Sequence, residues 1–209
     1  MMSGLTRDIG GCAIGGAVLL GSAAIARRGV PALEVRVFRA LNELPDGAFP
    51  FIWAPMQYGT FATVPVLSAI ALARHRPRLA AALGVAGSAA WFLAKGLKPV
   101  VGRARPVGVI ESVDVRGKEE GDLGFPSGHA AVSAAITSAA WPYLSEGGRL
   151  AAVALCAWVA FGRLYIGAHL PLDVIGGAAL GLALGCGGDM VLSRADPWSR
   201  TTTGTGATA

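Results

Sequence analysis

Six long apolar runs separated by short polar stretches make up most of this 209-residue chain: Ile9 to Ala26, Phe51 to Ala73, Leu79 to Leu97, His129 to Leu144, Leu150 to Ile166 and Leu170 to Leu192. A helix that crosses a bilayer needs roughly 17 to 25 mostly apolar residues, so the pattern predicts an all-α bundle of six transmembrane helices, the fourth and fifth somewhat short. Between the first two runs, Leu33, Val37, Leu41 and Leu44 fall at helical spacing opposite Glu34, Arg36, Arg39 and Glu43. That segment, Pro31 to Leu44, reads as a short amphipathic helix lying in the interface, or as one packed across the end of the bundle. No repeat or long linker divides the chain, so residues 1–193 are expected to form a single domain; the small, polar tail 194–209 is expected to be disordered. The first run follows Arg7 and Asp8 and leads into Arg27-Arg28 with no clear small-residue cleavage site, and is read as a retained helix.

Composition agrees. With 53% hydrophobic and 15% charged residues and a mean hydropathy of +0.54, the chain is too apolar for an ordinary soluble domain. Its net charge of +5 comes from cations placed mostly in the loops. Membrane orientation and anionic headgroups explain that placement better than nucleic acid does. Cys12, Cys156 and Cys186 lie within apolar runs, odd in number and without metal-ligand spacing, and read as small hydrophobes. Gly177, Gly181 and Gly185 form a stripe in the last run that lets a neighbouring backbone approach. Packing within the chain is the first reading of that stripe and a homodimer face the second.

Against this background the polar residues of Phe161 to Asp173, FGRLYIGAHLPLD, need a reason, because a charge near the middle of a membrane helix costs roughly 2.5 to 3.5 kcal/mol. His169 and Asp173 are four apart, on one helical face. A carboxylate so placed fixes one imidazole tautomer and leaves the other nitrogen free as nucleophile or base; an incidental helix-start pair is the alternative. The loop from Lys98 to Ser127 holds Lys98, Arg103, Arg105 and Pro106 at its entry and Phe125-Pro126-Ser127-Gly128-His129 at its exit. Its middle, Glu111 to Asp122, mixes five acids with Arg116 and Lys118 and reads as a solvated flap. With six spans, this loop and the 161–173 segment open on the same membrane face. Lys98, Arg105 and Arg163 would repel one another there unless they met an anion, and a phosphate is the natural partner for them. The Ser127-Gly128 helix start adds amide donors and a helix-dipole end. His129 and His169 beside such a cradle allow in-line substitution at phosphorus, one attacking while the other protonates the departing oxygen. No carboxylate or histidine-cysteine cluster with metal spacing accompanies them, so side-chain cations are expected to take a metal's part, with no cofactor. Singly, Lys98 and Arg105 also read as interfacial anchors, Ser127 as a helix cap and Arg163 as a snorkelling end charge.

Lysine, six residues and Arg-Pro (Lys98 to Pro106), then Pro-Ser-Gly-His (Pro126 to His129), then arginine, five residues, histidine, three residues and aspartate (Arg163 to Asp173) resemble the three-part signature of the type 2 phosphatidic acid phosphatases. These are membrane lipid phosphatases related in core to vanadium haloperoxidases. The resemblance implies that His169 is the nucleophile forming a phosphohistidine, that Asp173 orients it, and that His129 is the general acid for the leaving group. It further implies that Lys98, Arg105 and Arg163 hold the phosphoryl oxygens with Ser127 and the Gly128 amide, and that no Mg²⁺ is required. Gly162 departs from the pattern, which commonly has serine there. Arg103 and Lys95 match no motif and are set aside, and His75 reads as a solvated loop residue.

The expected substrate is a lipid phosphate at headgroup height: a polyprenyl diphosphate or a polyprenylphosphoryl-5-phosphoribose first, phosphatidylglycerophosphate or phosphatidic acid as alternatives. A lipid phosphotransferase and a noncatalytic lipid-binding or transport protein are the remaining rivals. The alanine, glycine and arginine richness suggests a bacterial inner membrane protein, and the basic turn Arg74 to Arg78 favours an outward-facing site, although Arg27, Arg28, Arg36 and Arg39 weigh against that orientation.

Overall fold

Eight α-helices appear where the apolar runs lie, in a computed structural model that describes residues 2–117 and 121–194. They are α1 (Met2–Ala26), α2 (Ala32–Asn42), α3 (Phe49–Met56), α4 (Thr63–Ala73), α5 (Pro77–Val101), α6 (Gly128–Ala140), α7 (Glu146–Tyr165) and α8 (Pro171–Arg194). Extended pairing among the described residues is confined to an isolated bridge between Ala104 and Leu123. The expectation of a disordered tail falls almost wholly outside the described residues.

Among the described residues, four helices are long and apolar enough to cross a membrane: Gly4–Ala26, Pro77–Val101, Glu146–Tyr165 and Pro171–Leu192. A fifth span results if α3 and α4, bent by 65° at the break between them, are counted as one. The described helices thus give four or five candidate spans, and the sixth of the expected spans is not confirmed. The fourth run yields α6, 13 residues and about 20 Å long, because Pro142 follows in a 3₁₀ turn, Trp141–Tyr143, that leaves the helix. The second run breaks at Thr60, which sits in extended conformation after the turn Gln57–Gly59.

Small side chains set the packing. Alanines 82, 86, 90 and 94 of α5 recur every fourth residue and meet Ala131, Ala135 and Ala139 of α6 and Leu180 of α8 in one buried cluster. A Cβ on Gly177, Gly181 or Gly185 would run into the Ser127, Ala131 or Ala135 carbonyl. The glycine stripe is thus occupied by α6, within the chain. On the other side of α8, Gly11 and Gly15 of α1 approach Cys186 and Ala179 to Ala183. These contacts make α6 and α8 parallel and α1 and α8 antiparallel, so the start of α6, the start of α8 and the end of α5 share one end of the bundle. The turn Arg74 to Arg78, with His75 exposed, lies at the other.

Helix α2 is rotated from its expected setting. Glu34, Phe38 and Asn42 are buried, whereas Leu33 and Val37 are 64% and 42% exposed. The acidic residue assigned to the solvent face points into the protein because it has a buried cationic partner there, described below. The 111–122 loop is likewise no free flap over its described part. The Arg116 guanidinium donates to the carbonyls of Asn42, Leu44 and Tyr165 and stacks 4.3 Å over the Tyr165 ring. Asn42 pairs with the Asp114 backbone through both its amide nitrogen and its oxygen. Five donors on one guanidinium can bind a converging set of carbonyls, an arrangement the sequence pattern does not announce.

Candidate active site

Helix α5 stops at Gly102, whose φ of +69° is the left-handed cap that glycine adopts without strain; its N–H closes on the Lys98 carbonyl. The chain then doubles back along the stretch that precedes α6. Arg105 N donates to the Asp122 carbonyl and Gly124 N to that of Arg103. Lys98 Nζ, on the last turn of α5, donates to the Leu123 carbonyl at 2.6 Å. Both ends of the long loop are thereby fastened beside the start of α6.

The 163–173 segment joins them through its backbone. Ala168 N and His169 N both donate to the Arg163 carbonyl, and Ser127 N donates to that of Asp173. Arg105 NH1 reaches the Ala168 carbonyl at 2.6 Å and comes within 3.5 Å of His169 Nε2. On the other edge of the ring, His169 Nδ1 lies 3.5 Å from Asp173 Oδ2. An arginine can only donate, so this placement gives Nε2 the acceptor role and Nδ1 the proton that faces the carboxylate.

A cavity of about 150 Å³ opens at this point, lined by Trp91, Lys95, Lys98, Arg105, Gly128, His129 and His169 among others. Five of the eight expected site residues line it. The other three do not form its wall: Asp173 and Ser127 are fully buried and Arg163 is nearly so. Ser127 occupies the N-cap position of α6, but its side chain makes no capping bond, and its Oγ has no hydrogen-bond partner among the described residues. The helix-cap reading of this serine is not realised. The position of Gly162 also becomes clear, since a Cβ there would meet Met56 and Ile52 of α3. A side chain at 162 would press into an apolar helix contact.

Three residues of the site were missed. Lys95, set aside for lack of a motif, lines the cavity one helical turn before Lys98, its Nζ 4.7 Å over the Trp91 ring. Arg103, also set aside, is 5% exposed. It forks onto Glu34 (NH1–Oε1 3.0 Å, NH2–Oε2 2.5 Å) and donates from NH1 to Asp173 Oδ1 at 2.9 Å. Burial opposes the Arg103 charge, yet Glu34 and Asp173 outweigh it, and its pKa lies above the ordinary arginine value. Glu34 Oε1 also accepts from Leu172 N at 2.7 Å, at the dipole end of α8. A usable signal existed in α2: Glu34, Phe38 and Asn42 recur every fourth residue, and a carboxylate on a protein-facing stripe calls for a cation.

Residues 78–191 match the profile of the PAP2 superfamily, more than half of the chain and every expected site residue. An undecaprenyl-diphosphatase of Sulfolobus acidocaldarius is 29% identical over 132 residues, which cover 60% of this chain and 61% of that protein. A lipid A 1-phosphatase of Rhizobium johnstonii is 37% identical over 95 residues, 43% of this chain and 38% of that one. The chain thus spans about three fifths and two fifths of the length of these two relatives. Among solved structures, LpxE of Aquifex aeolicus superposes with a TM-score of 0.70 at 22% identity, covering 77% of this chain and 96% of that one. A PAP2-type phosphatidylglycerolphosphate phosphatase of Bacillus subtilis superposes with a TM-score of 0.69 at 20% identity, covering 88% and 98%. On the sequence match that encloses both histidines and all the cations around them, the chain belongs to the PAP2 superfamily.

Proposed function

We propose that this protein is a membrane lipid phosphatase that removes a phosphoryl group through a phosphohistidine, without a metal. The observation that carries the reading is the pair His129 and His169 on the wall of one small cavity shared with Lys98 and Arg105. The His169 Nε2 lone pair attacks phosphorus as the bond to the leaving oxygen breaks, and His129 gives that oxygen a proton. Water, deprotonated by His129, then attacks phosphorus; the P–N bond breaks, phosphate leaves and His169 is restored. Lys98 and Arg105 meet the charge that builds on the phosphoryl oxygens, assisted by Arg163, by the Gly128 amide at the start of α6 and by the buried Ser127 hydroxyl. Asp173 orients the ring and offsets the positive charge that the imidazole acquires. A transporter or lipid-binding protein has use for the cations but none for an oriented nucleophile.

For the substrate we propose a polyprenyl-linked phosphate, a diphosphate first. The named activity of the Sulfolobus relative supports this choice. So does Lys95, which adds an ammonium to the cavity wall beyond Lys98 and Arg105; a second phosphate supplies the charge to match it. Placement in a bacterial inner membrane with the site on the outer face is part of the same proposal, supported by the basic turn Arg74 to Arg78 at the opposite end of the bundle.

The test is phosphate release by the detergent-solubilised protein in chelator, from polyprenyl diphosphate, polyprenyl monophosphate, polyprenylphosphoryl-5-phosphoribose, phosphatidylglycerophosphate and phosphatidic acid side by side. Release that persists in chelator, vanishes in His169→Ala and is fastest with the diphosphate is expected. Equal release from wild type and His169→Ala would remove the phosphohistidine from the mechanism.

A further inference from the structure

Asp173 is fully buried, and a buried carboxylate stays ionised only beside a cation or a set of donors. Its two oxygens are committed differently. Oδ2 accepts from Leu170 N at 2.9 Å and faces the imidazole of His169, while Oδ1 accepts from Arg103. Arg103 in turn is held by both oxygens of Glu34, from a helix 69 positions earlier in the chain. We infer that Arg103 and Glu34 are positioning residues of the reaction: Arg103 holds Asp173 against the His169 ring, and Glu34 fixes Arg103 while keeping the group as a whole negatively charged.

The charge count gives the pair a function that bracing alone lacks. One guanidinium against two carboxylates leaves net negative charge beside an imidazole that must turn positive when it bonds to phosphorus, and that charge is in place before the reaction begins. The other charged groups around His169 and Asp173 are cations or the second histidine: Arg105 at 3.5 Å, Lys95, Lys98 and His129 around the cavity, and the buried Arg163. Those groups favour the neutral ring. The carboxylates favour the charged one, so removing either member of the Arg103–Glu34 pair shifts the balance in a direction fixed by its sign. Loss of the Glu34 charge disfavours the imidazolium and lowers the His169 pKa; loss of the Arg103 charge leaves the two carboxylates unopposed, favours the imidazolium and moves the response upward.

This inference rests on the phosphohistidine reading, and a readout independent of turnover separates the two. The chain has three histidines, so ring resonances of histidine-labelled full-length protein in detergent can be assigned with His169→Ala and titrated. Glu34→Gln, which keeps size and one acceptor oxygen, is expected to lower the His169 midpoint by about half a unit to one unit, and Arg103→Gln to raise it by roughly one unit. Arg103→Lys restores the charge without the fork and is expected to return the midpoint to within about 0.3 unit of wild type. The acid limb of kcat/KM against pH follows the same order. Midpoints that stay put in all three variants, or that move the same way in Glu34→Gln and Arg103→Gln, overturn the inference. Should Arg103→Gln fail to fold, Glu34→Gln against wild type still decides it. Titrations that shift as stated in a protein with no His169-dependent phosphate release would leave the clamp standing and remove the phosphatase reading instead.

Discussion

At the amino-terminal end of α8, Arg103 lies between Glu34 and Asp173; near its other end, Arg7 lies between Asp8 and Asp189, at 2.5 and 2.8 Å. The composition is the same, an arginine and two carboxylates, but the surroundings differ. Side chains of the first group are 4%, 4% and 0% exposed, and one of its carboxylates faces a histidine across the wall of a charged cavity. In the second group the arginine is 31% exposed and lines a larger, mostly apolar hollow of about 520 Å³ between α1, α6, α7 and α8. Neither Asp8 nor Asp189 has a histidine among its described hydrogen bonds and ion pairs. The second group ties α1 to α8; the first carries that kind of tie to the imidazole of His169. Residue types alone do not separate a structural ion group from a functional one. Burial and the next neighbour do.

The sharpest way to break this comparison is to make the same change at both ends. Asp173→Asn is expected to lower kcat by about 10³- to 10⁴-fold, since the amide can present a donor to Nδ1 and reverse the tautomer. Asp189→Asn should leave kcat within about twofold of wild type. Steady-state phosphate release from one lipid phosphate measures both, and comparable losses at the two ends would abolish the distinction.

A smaller effect comes from the glycines beside each group. A Cβ on Gly124 would lie 2.6 Å from Asp173 Oδ2, whereas one on Gly187 would rest 3.6 Å from the Cys12 sulfur, an ordinary contact. Gly124→Ala is expected to cost about tenfold in kcat by displacing the carboxylate, and Gly187→Ala to change nothing measurable. Lys95→Met tests the cavity itself. It should lower kcat/KM for a diphosphate by about tenfold, the scale of one charge-assisted hydrogen bond, and for the matching monophosphate by less than about twofold; equal losses would take Lys95 out of substrate selection. Smallest of all is Arg7→Met, with activity expected within about twofold of wild type while the thermal midpoint in detergent falls by a few degrees.

Much of this molecule is legible along the chain because its architecture is local. Four of the six apolar runs become helices of spanning length, and their alternating direction brings Lys98, Arg105, His129 and His169 to one end. The remaining two runs depart from straight helices of spanning length for local reasons that hydropathy averages hide, Pro142 shortening α6 and the turn at Gln57–Gly59 bending the second run. The residues missed belong to pairings distant in sequence. Glu34 and Arg103 look like ordinary surface charges until the fold buries each against the other. Arg116 looks like part of a solvated loop because three of its bonds go to backbone carbonyls, which every residue possesses. Lys95 repeats no motif, and its place follows only from the pitch of α5, which sets it one turn from Lys98.

Helix α2 turns two different faces to two different media. Its outward Leu33 and Val37 are suited to the acyl boundary, while its inward Glu34 grips the guanidinium that holds Asp173 beside His169. Anything that lifts this helix from its seat, such as a harsh short-chain detergent or a thinner bilayer, therefore reaches the chemistry before it reaches the bundle. Turnover should fade while the helical circular dichroism signal is still intact, and returning native-like lipid should bring it back.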